Sequence, residues 1–166
     1  SDVYKRQVPG ICIAVSTADC VPVLVYAPDK NVVAAIHAGW RGTVKQIVAK
    51  TVEYMTARYG CDPSLMLAGI APSICKESFE VGDEVAEAFR ATGVDMDCIM
   101  ERNTRTGKAH IDLWEANRMQ LLQSGLQPEH IEVSGICTYQ HHDDFFSARR
   151  LGIKSGRILS GIMIKD

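Results

Sequence analysis

A cysteine and a histidine at the ends of two predicted strands are the strongest candidates for chemistry. Cys20 closes the segment TADC (17–20) after the apolar run 11–16, and His37 follows the apolar run 32–36. Strand ends in one sheet can converge, and loops there often carry functional sites. Cysteine and histidine are common zinc ligands, and they can also form a thiolate nucleophile with its base. Their separation matches no general zinc template, so a buried cysteine and an unrelated surface histidine remain the simpler alternative.

The segment after His37 has the residue types of an anion site. A predicted strand runs into Gly39, Arg41 and Gly42, and a predicted helix begins at Thr43. Glycines let backbone N–H groups approach a ligand, a helix start carries partial positive charge, and arginine adds a bidentate donor. This arrangement suits phosphate or a carboxylate. A tight strand-to-helix turn with a solvated Arg41 explains it equally well, because the pattern is no known nucleotide-binding fingerprint.

Short strands and helices alternate from Gly10 onward. Val- and Ile-rich runs predict buried strands over residues 11–16, 22–26, 32–36, 65–70, 131–136 and 157–164. The clearest helix is predicted over Thr43–Tyr59, where apolar residues recur at helical spacing and Gly60 ends the pattern. Further helices are predicted over 82–91 and after Ile111. The pattern therefore predicts one α/β (α+β) domain with a mixed sheet.

Composition and charge exclude several classes of protein. Hydrophobic residues make up 46% of the chain and charged residues 23%, which excludes a disordered or collagen-like chain. The net charge of −2 gives no reason to expect nucleic acid or a membrane surface as a partner. No apolar run approaches the ~18 residues of a membrane span, so we expect a soluble, cytoplasmic protein with reduced cysteines. The oligomeric state is not indicated.

The first seven residues, SDVYKRQ, are expected to lie outside the native fold. The stretch is polar, does not begin with methionine and precedes the first apolar run. It resembles translated adaptor sequence from the ends of assembled reads. We therefore interpret residues 1–7 as a non-native artefact and residues 8–166 as the domain.

Several sequence blocks resemble the YfiH-type laccase-domain family, also described as multicopper polyphenol oxidase-like proteins. The segments TADCVPVLV and VVAAIHAGWRGTV look like its paired signatures, and GIAPSICKESFEVGDEVAEAF, HIDLWEANRMQLLQSGL and SGICTYQHHDDFFSARR match in order. The resemblance covers residues 9–166. It implies a layered α/β sandwich and a zinc enzyme that acts on purine nucleosides: phosphorolysis of adenosine, inosine or methylthioadenosine, and adenosine deamination. The implied partners are thus a purine nucleoside and phosphate.

The resemblance also implies a metal site built from two histidines and one cysteine. Cys20 and His37 match the cysteine and one histidine, with zinc as the expected ion and copper as the alternative. The other histidine belongs to a Val-His-Gly motif upstream of TADC, and this sequence contains no such motif. We therefore interpret the chain as a catalytic domain without its N-terminal part. Two ligands should bind zinc weakly, because catalytic zinc normally has three protein ligands and a water.

Neighbouring residues receive catalytic and phosphate-binding roles under the same hypothesis. The Gly39–Gly42 turn with Arg41 is the candidate phosphate cradle, and Arg149 of FFSARR is a second candidate cation. Asp19 could transfer protons or support the metal ligand, although capping of its own turn is the simpler role. Cys75 and the pair Phe145–Phe146 are expected to serve packing.

Two other functions stay open. One is a Cys20/His37 hydrolase that edits peptidoglycan precursors, which metal chelation should spare. The other is a non-catalytic metal-binding or interaction module, which the missing ligand favours. A copper oxidase is less favoured, because one Cys/His/His site has too few ligands for the several coppers of a laccase.

Overall fold

A five-stranded mixed sheet organises the chain in the computed structural model, which describes residues 3–165. Its strands, in spatial order, are β1 (Val3–Arg6), β4 (Val32–Ala38), β3 (Val21–Ala27), β5 (Leu67–Ile70) and β9 (Ile131–Val133). Neighbouring strands are antiparallel except β5 and β9, which are parallel. The predicted mixed sheet is confirmed.

Two smaller sheets flank the main one. Strands β2 (Ile13–Thr17) and β10 (Ile158–Ile162) form an antiparallel ribbon that packs against β3 and β4. Strands β6 (Glu80–Val81), β8 (Ala109–Ile111) and β7 (Met100–Arg102) form a three-stranded sheet in that order.

Six α-helices complete the layers. They are α1 (Trp40–Val44), α2 (Ile47–Tyr59), α3 (Asp83–Arg90), α4 (Met96–Ile99), α5 (Leu113–Gln123) and α6 (Ala148–Leu151) in the described part of the chain. The predicted helix end at Gly60 is confirmed, since Gly60 adopts a left-handed φ of 70°. The predicted start at Thr43 is wrong, because α1 already begins at Trp40 and the left-handed Gln46 separates it from α2. Within residues 3–165, no helix combines the length and apolarity that a bilayer crossing requires.

The hydrophobic core lies on one face of the main sheet. Alternate residues of β3 and β4 enter it, among them Val23 and Ile36, and they pack with Val48, Val52 and Met55 of α2. Side chains of the intervening positions belong to the opposite face, toward the β2–β10 ribbon. The two faces explain why β4 reads as an almost continuous apolar run.

The N-terminal segment takes part in the fold, contrary to expectation. Residues Val3–Arg6 form β1 and pair with Val33–Ile36 of β4. An edge strand tolerates polar residues because one side of its backbone lacks a neighbouring strand, so its sequence need not be apolar. The expectation that residues 1–7 carry no element is therefore wrong for residues 3–6. Ser1 and Asp2 lie outside the described residues, and the non-native origin of the segment stays a prediction.

Candidate active site

Strand pairing brings Cys20 and His37 to the same end of the main sheet. Pro22 of β3 pairs with His37 of β4. His37 therefore lies within its strand, whereas the sequence predicted it just after the strand. Cys20 directly precedes β3, which begins at Val21, so Cys20 lies at the same end of the sheet as His37. The Cys20 sulfur also lies against Gly39: a Cβ on Gly39 would stand 2.9 Å from Cys20 Sγ. The register therefore joins the two candidate segments.

The Cys20 thiol is half-buried and disfavours ionisation. Burial raises its pKa, and the neighbouring charge of Asp19 raises it further. The neutral thiol is thus the stable form near pH 7, so a positive partner is needed before Cys20 acts as a thiolate. This property argues against a thiol hydrolase that relies on Cys20 alone.

The segment predicted as a phosphate cradle, residues 39–42, lies at the start of α1. Gly39 is extended and precedes α1, and its carbonyl accepts hydrogen bonds from Thr43 N (2.9 Å) and Thr43 Oγ1 (3.0 Å). Gly42 is buried and is the third residue of α1, so residues 40–42 form the first turn of a helix instead of a loop before one. The phosphate-binding role of this segment stays a prediction.

Arg41 keeps the features of an anion ligand. Its side chain is exposed, and its guanidinium stacks over the Trp40 ring at 4.3 Å from the centroid. No ion pair between residues 3 and 165 involves Arg41. A stacked but electrostatically unpaired guanidinium can bind phosphate without first releasing a carboxylate.

Asp19 joins three distant segments and is 9% exposed. Its Oδ1 accepts from Thr138 Oγ1 at 2.8 Å, and its Oδ2 accepts from Arg149 N at 2.6 Å. Its carbonyl accepts from Ile74 N at 3.0 Å. Asp19 has a left-handed φ of 82°, a conformation in which aspartate is one of the more tolerated residues. Both carboxylate oxygens accept hydrogen bonds, and this geometry favours a positioning role over the proton-transfer role that the sequence left open. One of the two donors is a backbone N–H in the first turn of α6, whose N-cap residue is Ser147.

Arg149 is held on two sides. Asp19 binds its backbone N–H, and its Nη1 donates to the carbonyl of Glu80 at 2.8 Å. Its guanidinium also lies 5.4 Å from the ring centroid of Phe79. The side chain is otherwise exposed, so Arg149 joins the Asp19 turn through its backbone and presents its positive charge near Glu80 and Phe79.

A buried set of polar residues behind this turn was not predicted. Thr138 is fully buried, and its N–H donates to Ser73 O at 3.1 Å. Trp114 Nε1 donates to Ser73 Oγ at 2.7 Å. The bonds join residues far apart in the sequence, so no local pattern could reveal them. Trp114 packs partly against the core.

Two packing predictions have different outcomes. Cys75 is buried, as predicted, and its thiol donates to Ser78 Oγ at 3.4 Å. Phe146 is 48% exposed, so the prediction of core burial is wrong for this residue. Phe146 packs instead over Gly156, where a Cβ would stand 2.6 Å from the ring.

The donors for a metal ion are incomplete in the described chain. Within residues 3–165, no group of three or more His, Cys, Asp or Glu side chains could hold a metal ion. Cys20 and His37 offer two donors of the types that zinc prefers, and zinc sites normally use at least three from the protein. The described residues therefore do not fit a complete zinc centre.

Comparison with known proteins identifies close relatives. The family model described as multi-copper polyphenol oxidoreductase laccase matches residues 1–165. A purine nucleoside phosphorylase of Bacteroides thetaiotaomicron is 60% identical over 163 residues, which are 98% of this chain and 60% of the relative. Adenosine deaminase RL5, from an unknown prokaryotic organism, is 47% identical over 164 residues, which are 99% of this chain and 62% of the relative.

Solved structures show the same fold. The crystal structure of a hypothetical protein YfiH from Bacillus licheniformis matches with a TM-score of 0.93 and 34% identity, over 99% of this chain and 62% of that one. YlmD from Geobacillus stearothermophilus matches with a TM-score of 0.92 and 36% identity, over 99% and 61%. The predicted fold class is confirmed. The chain spans about 60% of the length of the curated relatives it matches.

Proposed function

The chain belongs to the multi-copper polyphenol oxidoreductase laccase family. From this membership we propose that the protein is a purine nucleoside phosphorylase with a second, adenosine deaminase activity. Relatives that bear these two names are 60% and 47% identical to almost the whole chain. The family description also names a laccase. A multicopper oxidase needs several metal sites, whereas Cys20 and His37 provide one pair of donors.

One observation carries the proposal: the pairing of β3 with β4, which brings the Cys20 turn against the His37 strand and α1. The hydrogen bond from Arg149 N to Asp19 adds a second arginine segment to the same turn. Two side chains of the types that bind zinc, together with two segments that carry arginines, suit a reaction between a heteroaromatic substrate and an anionic one. A nucleoside with inorganic phosphate meets that description.

Arg41 and Arg149 are the proposed phosphate ligands. In phosphorolysis, a phosphate oxygen bonds to C1′ of the ribose while the bond from C1′ to the purine nitrogen breaks, and the purine leaves with the electron pair. Guanidinium groups bind phosphate through paired N–H donors and hold the attacking oxygen in line. The contacts of Arg149 with Asp19 and Glu80 fix its position before phosphate arrives, which reduces the cost of ordering it.

Cys20 and His37 are proposed as two zinc ligands. Their residue types and shared strand pairing support this role, and the third donor that the family resemblance implies is absent from residues 3–165. The donor set is incomplete, so no step of the reaction is assigned to the metal. Asp19 acts through Cys20 and Arg149 by fixing the turn between β2 and β3.

The proposal is tested by incubating the protein with inosine, with and without inorganic phosphate, in zinc-containing buffer. Phosphorolysis predicts hypoxanthine and ribose 1-phosphate only when phosphate is present, and their loss in C20S and H37A. Equal hypoxanthine release without phosphate would rule out phosphorolysis. Activity that survives a strong chelator and depends on Cys20 would favour the thiol hydrolase.

A further inference from the structure

Two buried cysteines meet beside the Asp19 turn, although 62 residues separate them in the sequence. Cys75 is 4% exposed and Cys137 is 3% exposed. The backbone N–H of Cys75 donates to Cys137 Sγ at 3.3 Å, and Ser73 and Cys137 form an isolated parallel bridge. The backbone of both segments therefore holds the two cysteines next to each other, as an intramolecular disulfide requires.

One hydroxyl lies between the two sulfurs. Ser78 Oγ accepts from Cys75 Sγ at 3.4 Å and from Cys137 Sγ at 3.7 Å. Gln140 Nε2 donates to Cys75 Sγ at 3.4 Å, and Gln140 itself is exposed. The thiol pair thus lies one side chain below the surface, where a small oxidant can reach it when Gln140 moves.

The two thiols differ in acidity. Burial opposes ionisation of Cys137, but hydrogen bonds from the Cys75 thiol and from backbone N–H groups outweigh it and lower the pKa of Cys137. Burial and the bond to Cys137 raise the pKa of Cys75 to about 12. The Cys137 thiol therefore ionises more readily than the Cys75 thiol.

We propose that Cys75 and Cys137 are an oxidation site that hydrogen peroxide converts into an intramolecular disulfide. The Cys137 sulfur attacks one peroxide oxygen, the O–O bond breaks, and the departing hydroxide takes up a proton to leave as water. The Cys75 sulfur then attacks the Cys137 sulfenic acid, the S–O bond breaks, and a second water leaves with the Cys75 proton. The two sulfurs together lose two electrons, and the peroxide is reduced by two.

The disulfide would link both segments that hold Asp19. Ile74, next to Cys75, donates its N–H to the Asp19 carbonyl, and Thr138, next to Cys137, donates its hydroxyl to Asp19 Oδ1. Oxidation of this pair is therefore expected to shift the hydrogen-bond donors of Asp19 and, with them, the turn that carries Cys20. Oxidation of a surface cysteine would not have this effect.

The test treats the whole chain with hydrogen peroxide, unfolds it, alkylates the remaining thiols and maps the peptides by mass spectrometry. The expected product is a cross-linked peptide pair that joins Cys75 to Cys137 with loss of two hydrogens. Cys61 is a buried free cysteine that is expected to stay reduced and to be alkylated after unfolding, whereas the exposed Cys98 controls for general oxidation. A cross-link between other cysteines, or full alkylation of Cys75 and Cys137 when Cys98 is oxidised, would overturn the proposal.

Variants assign the order of the steps. In C75S, Cys137 is expected to stop at the sulfenic acid and to be captured by dimedone. In C137S, Cys75 is expected to remain a thiol, because its burial still raises its pKa and disfavours direct attack on peroxide. C61S is the matched control and keeps the cross-link. If circular dichroism shows that either variant is unfolded, the peptide map of the unmodified chain is the test of the proposal.

Discussion

The carboxylate of Asp19 accepts a 2.6 Å hydrogen bond from the backbone N–H of Arg149, 130 residues further along the chain. The bond fastens the turn before β3 to the first turn of α6. Asp19 is thus next to Cys20, a candidate metal ligand, in the sequence and is bonded to Arg149, a candidate phosphate ligand.

Thr138 is expected to stabilise the fold through Asp19. The substitution T138V keeps the side-chain shape but removes the hydroxyl that donates to Asp19 Oδ1. A buried acceptor then loses its partner, so the free energy of unfolding should fall by about 1–3 kcal/mol. Urea denaturation measures the change. T138S retains the donor and should recover part of the loss, and a T138V protein as stable as the unmodified chain would contradict this role.

Gly39 is expected to matter for the position of Cys20. In G39A the new Cβ would lie 2.9 Å from Cys20 Sγ, so the sulfur or the strand end must move. We expect at least a several-fold change in the rate at which Cys20 reacts with a thiol reagent. G69A is the matched control, because a Cβ at Gly69 meets no atom within 4 Å. Identical Cys20 reactivity in G39A and the unmodified chain would show that the contact has no consequence.

The two arginines are expected to act on phosphate rather than on the nucleoside. R41A and R149A each remove a charge-assisted contact of about 1.5–3 kcal/mol, so the KM for phosphate should rise about 10- to 100-fold. The KM for inosine should change much less. R105A, in the exposed polar loop between β7 and β8, is the control and should leave both constants unchanged. An equal effect on both substrates would assign the arginines to general stability.

Zinc is expected to bind this chain weakly and through Cys20. Calorimetric titration of the chain should give a low affinity, because two donors are fewer than the three that catalytic zinc normally receives. C20S should abolish the binding, and C98S, at an exposed cysteine, should not. Tight binding that survives C20S would place the metal elsewhere.

Several local elements could be predicted from the sequence because their causes are local. The strands around Val23 and Ile36 follow from apolar runs, and the end of α2 follows from Gly60. Strand β1 was not predicted, because it is only four residues long, two of them charged, and it is defined by its pairing with β4.

The break between α1 and α2 shows why elements that depend on distant contacts could not be predicted. Gln46 has a left-handed φ of 61°, which is uncommon for a residue other than glycine. Side chains of α5 hold the end of α1 just before it: Gln120 Nε2 donates to Thr43 O at 2.8 Å, and Asn117 Nδ2 donates to Thr43 Oγ1 at 3.1 Å. The partners stand 77 and 74 residues away, so no local pattern contains them.

The origin of the oxygen on the cleaved sugar tests the central proposal most directly. Inosine and ordinary phosphate are incubated with the protein in water enriched in heavy oxygen, and the sugar product is analysed by mass spectrometry. Phosphorolysis predicts ribose 1-phosphate without the heavy isotope at C1, in amounts equal to hypoxanthine. Free ribose in amounts equal to hypoxanthine, with no ribose 1-phosphate, would show that water, and not phosphate, attacks the nucleoside, and would contradict the proposed function.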